Sequence, residues 1–396
     1  MKEKLKNNVY WVGKIDWELT KFHGDDYSIT SGSSQNAYLI EEEKTVLIDT
    51  VWTPHKDEFI ENLEKEIDLA KLDAVIIQHG EVDHSGGLVK LMEKRPDLPI
   101  YCTANGVKSL VGQFHHPEWD YRVVKTGDSL NVGPGKDLVF VEMAMLHWPD
   151  SMASYLTGDN ILFSNDAFGQ HFAVAELFND KADQCLLYKE AIKYYANILT
   201  PFQAIAKKKI DEILAMNLPI EIIAPSHGVI WRDNPLQIVE KYIEWSDQYK
   251  EDQITIAYDS MWDGTKKLAH ALEKHLRDLA PDTVVKVFNV ALADKNEVMT
   301  EVFKSKAIAV GSPTVSNDIL SSVGGWLYFL KELKFKGKKA AAFGCYGWSG
   351  EGNKKIKEQL EGAGFSVLEP DVRVNWAPRE ENLDQMSEIA QALIAD

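Results

Sequence analysis

Cysteine is scarce in this 396-residue chain: there are three, Cys102, Cys185 and Cys345, far apart in sequence. Without a C-x-x-C pair, no rubredoxin-type iron centre, zinc ribbon or ferredoxin cluster is encoded, and three reduced thiols in an intracellular protein are expected. Long apolar runs are missing too. The N-terminal "MKEKLKNNVYWVGKIDWEL" has charges but no signal-peptide core, and no stretch is long enough to span a bilayer, so a soluble, cytoplasmic protein is expected. Positive charge is in deficit: 43 Lys and Arg against 61 Asp and Glu leave a net charge of −18. That balance argues against broad nucleic-acid binding, which needs a basic surface to neutralise phosphates. There is no internal repeat, no low-complexity tract and no dinucleotide fingerprint. "GPGKD" at 133–137 lacks the third glycine and reads as a turn.

What is present is globular: 45% hydrophobic and 26% charged residues, in a chain long enough for two domains. The first part alternates strands and turns ("VYWVGKI", "NAYLIEEEKTVLIDT"), then a helix with Phe59, Ile60, Leu63 and Ile67 on one side. "DAVIIQ", "IYCTA", "LVFVEM", "ILFSND" and "EIIAPSH" are further strand candidates. Near residue 250 the rhythm changes. From "ITIAY" onward, strands and helices alternate regularly to the end, which predicts a parallel sheet with helices on both faces. The expected division is therefore 1–250 and 251–396.

The first part carries a chelating run, "QHGEVDHSGG" at 78–87. If it is extended, His79, Glu81 and Asp83 fall on one side, while the adjacent His84 points elsewhere and suits a second ion. His147 in "MLHWPDS", Asp166 in "FSNDAFG" and His227 in "APSHGV" close later strands, the usual place for a site on a layered α/β scaffold. Seven candidates, three of them carboxylates, exceed one tetrahedral ion and suit a binuclear centre in which one Asp bridges. A lone His is more often a core or surface residue than a ligand, and His23, His55, His115, His116, His171, His270 and His275 are set aside on that ground.

The second part carries three loops after successive strands. "DSMWDGTKKLA" puts Ser260, Gly264 and Thr265 between a strand and a helix, an anion cradle for one phosphate. "GSPTVSN" offers Ser312, Pro313, Thr314 and Asn317, and "GCYGWSGEG" offers Tyr346, Gly347, Trp348 and Ser349. An exposed aromatic beside glycines suits a flat ring. One such loop is an ordinary turn; three in order at strand ends form a ligand crevice.

These residues carry a resemblance. "H-G-E-V-D-H" with His147, Asp166 and His227 resembles the metallo-β-lactamase fold, an αββα sandwich whose hydrolases hold zinc with H-x-H-x-D-H. Glu81 departs from that pattern, and added carboxylate moves a site from zinc toward harder, redox-active iron. The second part resembles flavodoxin, a doubly wound five-stranded parallel sheet. Together they are similar to the flavodiiron proteins. The wording "VKTGDSL", "MLHWPDSMASYLTGDNILFSNDAFGQHF" and "SHGVIWRDNP" is most like the flavorubredoxin nitric oxide reductase branch.

The resemblance implies two non-haem irons, one held by His79, Glu81 and His147, the other by Asp83, His84 and His227, with Asp166 between them. It implies FMN, its phosphate end held by Ser260, Met261, Asp263, Gly264 and Thr265. Ser312, Pro313, Thr314, Asn317, Tyr346, Gly347 and Trp348 would complete that pocket. It implies reduction of NO to N2O, of O2 to water, or both. A separate electron donor, a rubredoxin, is expected because the sequence stops at Asp396 without that module. A head-to-tail homodimer or dimer of dimers is implied, with no nucleic-acid or membrane partner. His171 and Tyr195 are implied near the metals as hydrogen-bond or proton donors. The competing reading is a zinc-dependent hydrolase of the same fold with an accessory flavodoxin-like domain. A pure electron carrier or sensor with a vestigial metal site is the third.

Overall fold

Alternation along short apolar strands builds the first layers. Tyr38 and Ile40 point to one face of a sheet and Leu39 to the other, and all three are buried. The structure, a computed structural model, describes residues 2–395. The chain divides into two units: Met1–Tyr194 with Phe202–Glu244, and Tyr195–Pro201 with Trp245–Asp396.

In the first unit a seven-stranded sheet runs Glu3–Lys6, Val9–Trp11, Tyr38–Glu41, Thr45–Ile48, Leu72–Ile76, Ile100–Cys102, Tyr121–Val123. A five-stranded sheet runs Ser129–Gly133, Lys136–Glu142, Met152–Leu156, Ile161–Asn165, Ile222–Pro225. Their facing sides share one core: Tyr38, Ile40, Ile48 and Ile76 from the first pack with Phe140, Leu156, Phe163 and Ala224 from the second. The opposite face of the larger sheet, with Leu39, Leu47 and Val75, is covered by Phe59, Ile60 and Leu63 of the helix Lys56–Glu66 and by Leu88, Leu91 and Met92 of Leu88–Lys94. Helix Gln203–Ala215 buries Ala206, Ile210 and Ile213, a stripe at helical spacing. This is the αββα sandwich.

The second unit is a parallel sheet ordered Val284–Asn289, Glu251–Tyr258, Ser305–Gly311, Lys339–Tyr346 and an edge. Strand order reverses beside Glu251–Tyr258, the arrangement that opens a crevice at strand C-termini. The edge differs from the five simple strands expected. Two short strands, Ser366–Val367 and Val372–Asn375, pair in turn with Lys339–Tyr346. Pro370, which has no N–H to give a ladder, lies in the break between them.

Candidate functional site

The chelating run does not stay extended. Strand Leu72–Ile76 ends before it, Glu81 sits at the N-terminal boundary of a short helix, and Asp83 and His84 lie inside that helix, Val82–Ser85. The expected i, i+2, i+4 face is therefore replaced by a strand–loop–helix corner. The corner still separates Asp83 from Glu81, because a helical turn rotates the chain between them.

All seven side chains converge within the first unit. His79 Nε2 lies 3.2 Å from Glu81 Oε2 and 3.7 Å from Asp166 Oδ2. His147 Nε2 is 3.6 Å from each of those same oxygens. On the other side, Asp83 Oδ2 lies 3.5 Å from His84 Nε2 and 3.1 Å from His227 Nε2. Asp166 Oδ1 is 3.2 Å and 3.5 Å from those two nitrogens. Asp166 thus turns one oxygen to each cluster. Ligands about 2.1 Å from a common ion stand about 3.0–3.4 Å apart, by octahedral or tetrahedral geometry, close to these separations.

Their burial makes the arrangement costly without cations. His79 Nε2, Glu81 Oε2 and both carboxylate oxygens of Asp83 and Asp166 are buried with no hydrogen-bond partner. Burial opposes the charge on Asp83 and Asp166, yet the nearby imidazoles, His84 foremost, hold both carboxyls below their usual range. Burial likewise opposes the charge on His84, but Asp83 and Asp166 push it up to about 10. Protons here stand in for metal charge. The donor set, four imidazoles and three carboxylates of which Asp166 is shared, fits two hard first-row ions.

Surrounding groups aim the donors. His79 Nδ1 lies 3.1 Å from Asp150 Oδ1, whose other oxygen accepts from Gly80 N at 2.8 Å, so the ring is turned with Nε2 inward. His227 Nδ1 is 2.7 Å from the carbonyl of Ser34. Asp49 accepts from the Gln78 backbone at 2.8 Å and from Ser226 Oγ at 3.5 Å, tying together the segments that lead into His79 and His227. Burial raises its carboxyl to about 6. Asp49 and Asp150 escaped the sequence reading because nothing local distinguishes them from surface acids; "WPDS" beside His147 was the one available hint.

His23 was set aside in sequence and is brought to the site. Its Nε2 is 2.9 Å from Glu81 Oε1, and its ring centroid is 5.9 Å from that of His147. His23, Glu81 and His147 form a further group of potential ligand atoms. The residue sits at φ 52° at the tip of the two-strand hairpin Lys21–Phe22 and Tyr27–Ser28. Phe22 beside it packs on His171 at 4.9 Å. His171 is buried, with Nδ1 2.8 Å from Ser33 Oγ, and burial holds it well below its usual range. Tyr27 and Tyr194 each face it at 5.1 Å and His227 at 5.2 Å; Tyr195 packs on Trp245 and Phe303 in the second unit.

In the second unit the three loops rise from the C-terminal ends of Glu251–Tyr258, Ser305–Gly311 and Lys339–Tyr346. Asp263, at φ 59°, turns the chain into helix Gly264–Leu279. The hydroxyls of Ser260 and Thr265 are buried without partners there, two donors awaiting an anion at a helix N-terminus. Met261 is about half exposed, and Trp348 is 85% exposed. Ser312 is otherwise engaged: its Oγ bonds Pro313 O at 2.9 Å and accepts Leu320 N at 3.0 Å, which shapes its own loop. Asn317 Oδ1 accepts from Ser349 Oγ at 3.0 Å and Thr314 Oγ1 from Gly352 N at 3.1 Å, so the second and third loops are stitched together. The unpartnered hydroxyls, the helix start and the exposed aromatic fit a phosphorylated flat ring such as FMN.

Comparison with known proteins agrees with both units. The family described as Metallo-beta-lactamase superfamily matches residues 30–227, and that described as Flavodoxin matches 256–389. An anaerobic nitric oxide reductase flavorubredoxin of Aliivibrio fischeri is 54% identical over 94% of this chain and 75% of its own length. Its counterpart in Vibrio vulnificus is 51% identical over 98% and 78%. Among solved structures, rubredoxin oxygen:oxidoreductase from Desulfovibrio gigas superposes with TM-score 0.96 at 37% identity, covering 99% of this chain and 98% of that one. The flavodiiron protein of Giardia intestinalis gives 0.93 at 30%, covering 99% and 96%. A metal-shaped pocket in an αββα sandwich and a phosphate-ready crevice in a doubly wound sheet, joined in one chain this similar to these proteins, make it a member of the flavodiiron protein family.

Proposed function

We propose that this chain is a flavodiiron reductase, taking electrons through FMN to a non-haem diiron centre that reduces NO to N2O, O2 to water, or both, and so detoxifies these gases. The observation that carries the reading is Asp166, whose two unpartnered oxygens face two separate clusters, His79–Glu81–His147 and Asp83–His84–His227. His79, Glu81 and His147 would hold one iron, Asp83, His84 and His227 the other, and Asp166 would bridge. In the second unit Ser260, Met261, Asp263, Gly264 and Thr265 would hold the FMN phosphate end. Pro313, Thr314, Asn317, Tyr346, Gly347 and Trp348 would border the ring, with Ser312 shaping that loop from behind.

When bound, two ferrous ions and FMN supply electrons and open coordination positions for a diatomic gas. The protein's share is positional. Asp150 fixes the His79 tautomer, Ser34 fixes His227, and His23 holds the outer oxygen of Glu81. Phe22 and Tyr194 pack on the buried His171 ring, which stands 5.2 Å from that of His227. Two NO molecules, two electrons and two protons then balance as N2O and water. The relatives' names point to rubredoxin as the donor class, and a separate rubredoxin is the donor we infer. A head-to-tail homodimer, or a dimer of such dimers, is part of the reading. A cytoplasmic location is likewise inferred; among the described residues no helix is long and apolar enough to cross a membrane.

Metal and flavin content of the purified protein tests this directly. About two irons and one FMN per chain are expected, with anaerobic NO and O2 consumption to follow. Zinc in cells grown with ample iron, together with phosphodiester or thioester cleavage, would return the site to hydrolase chemistry.

A further inference from the structure

We propose that Trp376 is a wall of the flavin pocket, presented by a fourth loop that follows the edge strand Val372–Asn375. The proposal rests on the FMN reading of the second unit. Trp376 is 65% exposed and stands at φ +62°, a left-handed backbone that a side chain of this size disfavours. A large apolar ring held both strained and exposed calls for a reason beyond packing.

The hold is specific. Trp376 N donates to Tyr346 O at 2.7 Å, and Asn375 Nδ2 donates to Tyr346 O at 3.3 Å and to Gly347 O at 2.7 Å. These bonds continue the parallel pairing in which Asn375 stands opposite Tyr346. The indole lies against Gly347: a Cβ there would meet Trp376 Cη2 and Cζ3 at 3.0 Å, so glycine is what lets the ring approach. Two residues on, Pro378 Cδ would stand 3.5 Å from a Cβ on Gly264, the first residue of the phosphate-side helix. The short segment 375–378 therefore touches both ends of the crevice, the helix start beside the unpartnered Thr265 hydroxyl and the loop carrying the exposed Trp348. Its one large flat side chain is Trp376, which offers a stacking or edge surface to an aromatic ligand.

The experiment is titration of the flavin-depleted full-length protein with FMN and, separately, with riboflavin, for the native chain, Trp376→Ala, Trp376→Phe and Thr265→Ala. Trp376→Ala is expected to weaken both ligands by about tenfold, the usual scale for losing one aromatic stack. Trp376→Phe should recover most of that loss, and emission of the bound flavin should rise in Trp376→Ala because a quenching indole is gone. Thr265→Ala should weaken FMN and leave riboflavin unchanged. A Trp376→Ala protein with native affinity and native flavin emission would overturn the proposal. So would a loss confined to FMN, which would place the effect in the phosphate loop through Pro378. If Trp376→Ala does not fold, Trp376→Leu carries the same comparison. A native chain that binds neither ligand would instead remove the FMN reading itself.

Discussion

Glu81 has two oxygens and the fold gives each a different neighbour: Oε2 faces His79 and His147, and Oε1 faces His23. A carboxylate pinned on its outer oxygen presents one lone-pair direction to a metal. His23→Ala is therefore expected to lower iron affinity or turnover by about tenfold to a hundredfold, the range for a lost partner of a ligand. His23→Gln, which can still donate, should keep most of it. A change in the ferrous EPR or Mössbauer signature that Gln reverses would distinguish aim from mere folding, and native spectra in His23→Ala would sink the idea. Proton linkage gives a second expectation. In the metal-free protein His84 is raised from 6.5 to about 10, chiefly against burial by Asp83 and Asp166. Its contribution to metal-free stability is then full below about pH 6.5 and lost as pH rises toward 10. Metal must displace that proton, so Fe(II) or Zn(II) affinity should rise between about pH 6 and pH 8, with proton release visible in weakly buffered solution. Flat affinity across that range would contradict the linkage.

At the scale of elements, the site is an assembly of ends. Val82–Ser85 brings Asp83 and His84, Ile161–Asn165 leads to Asp166, and Ile222–Pro225 leads to His227. Strand existence was legible from apolar runs such as "DAVIIQ" and "ILFSND", because burial on both faces demands them. The hairpin that delivers His23 was not legible: its strands are two residues each, below any periodicity. Nor was the helical corner at 82–85, since Val82, Asp83, His84 and Ser85 have no strong helical preference and tertiary ties decide their path. Ser85 Oγ bonds Gly80 O at 3.0 Å and Glu81 O at 2.8 Å, and Thr50 Oγ1 bonds His84 O at 2.6 Å. In the second unit, buried Lys338 donates to three carbonyls, Tyr249 O at 2.8 Å and Phe303 O and Ser305 O at 2.7 Å. Lys338→Met would take that donor from all three and is expected to cost about 3 kcal/mol, read as an earlier thermal transition. An unchanged transition would show that water takes over those acceptors.

For the whole molecule, the proposed head-to-tail dimer makes a prediction that a single-chain route does not. Asp166→Asn should remove the bridge and leave the iron site inactive while flavin still binds. Thr265→Ala, or a stronger variant of the same loop, should leave iron bound with flavin lost. Mixed dimers of the two should recover NO consumption if flavin of one subunit serves iron of the other. No recovery after subunit exchange, verified by mass, would place the electron route within one chain.

The amino-acid sequence by itself determined a two-part plan, the alternating parallel sheet of the second part and the candidate donors, because periodicity, turn chemistry and a dense run of His, Glu and Asp are local signals; the αββα layering of the first part came through its resemblance to a known family. Only the tertiary structure decided that Asp166 divides its oxygens between two clusters, that Asp150 and Asp49 stand behind them, and that His23 and Trp376 reach their sites. Those residues act through partners distant in sequence, such as Asp150, seventy-one positions beyond His79, and Asp166, eighty-two beyond His84. Their roles arise from closing long loops onto a common core, a step no short window of sequence encodes.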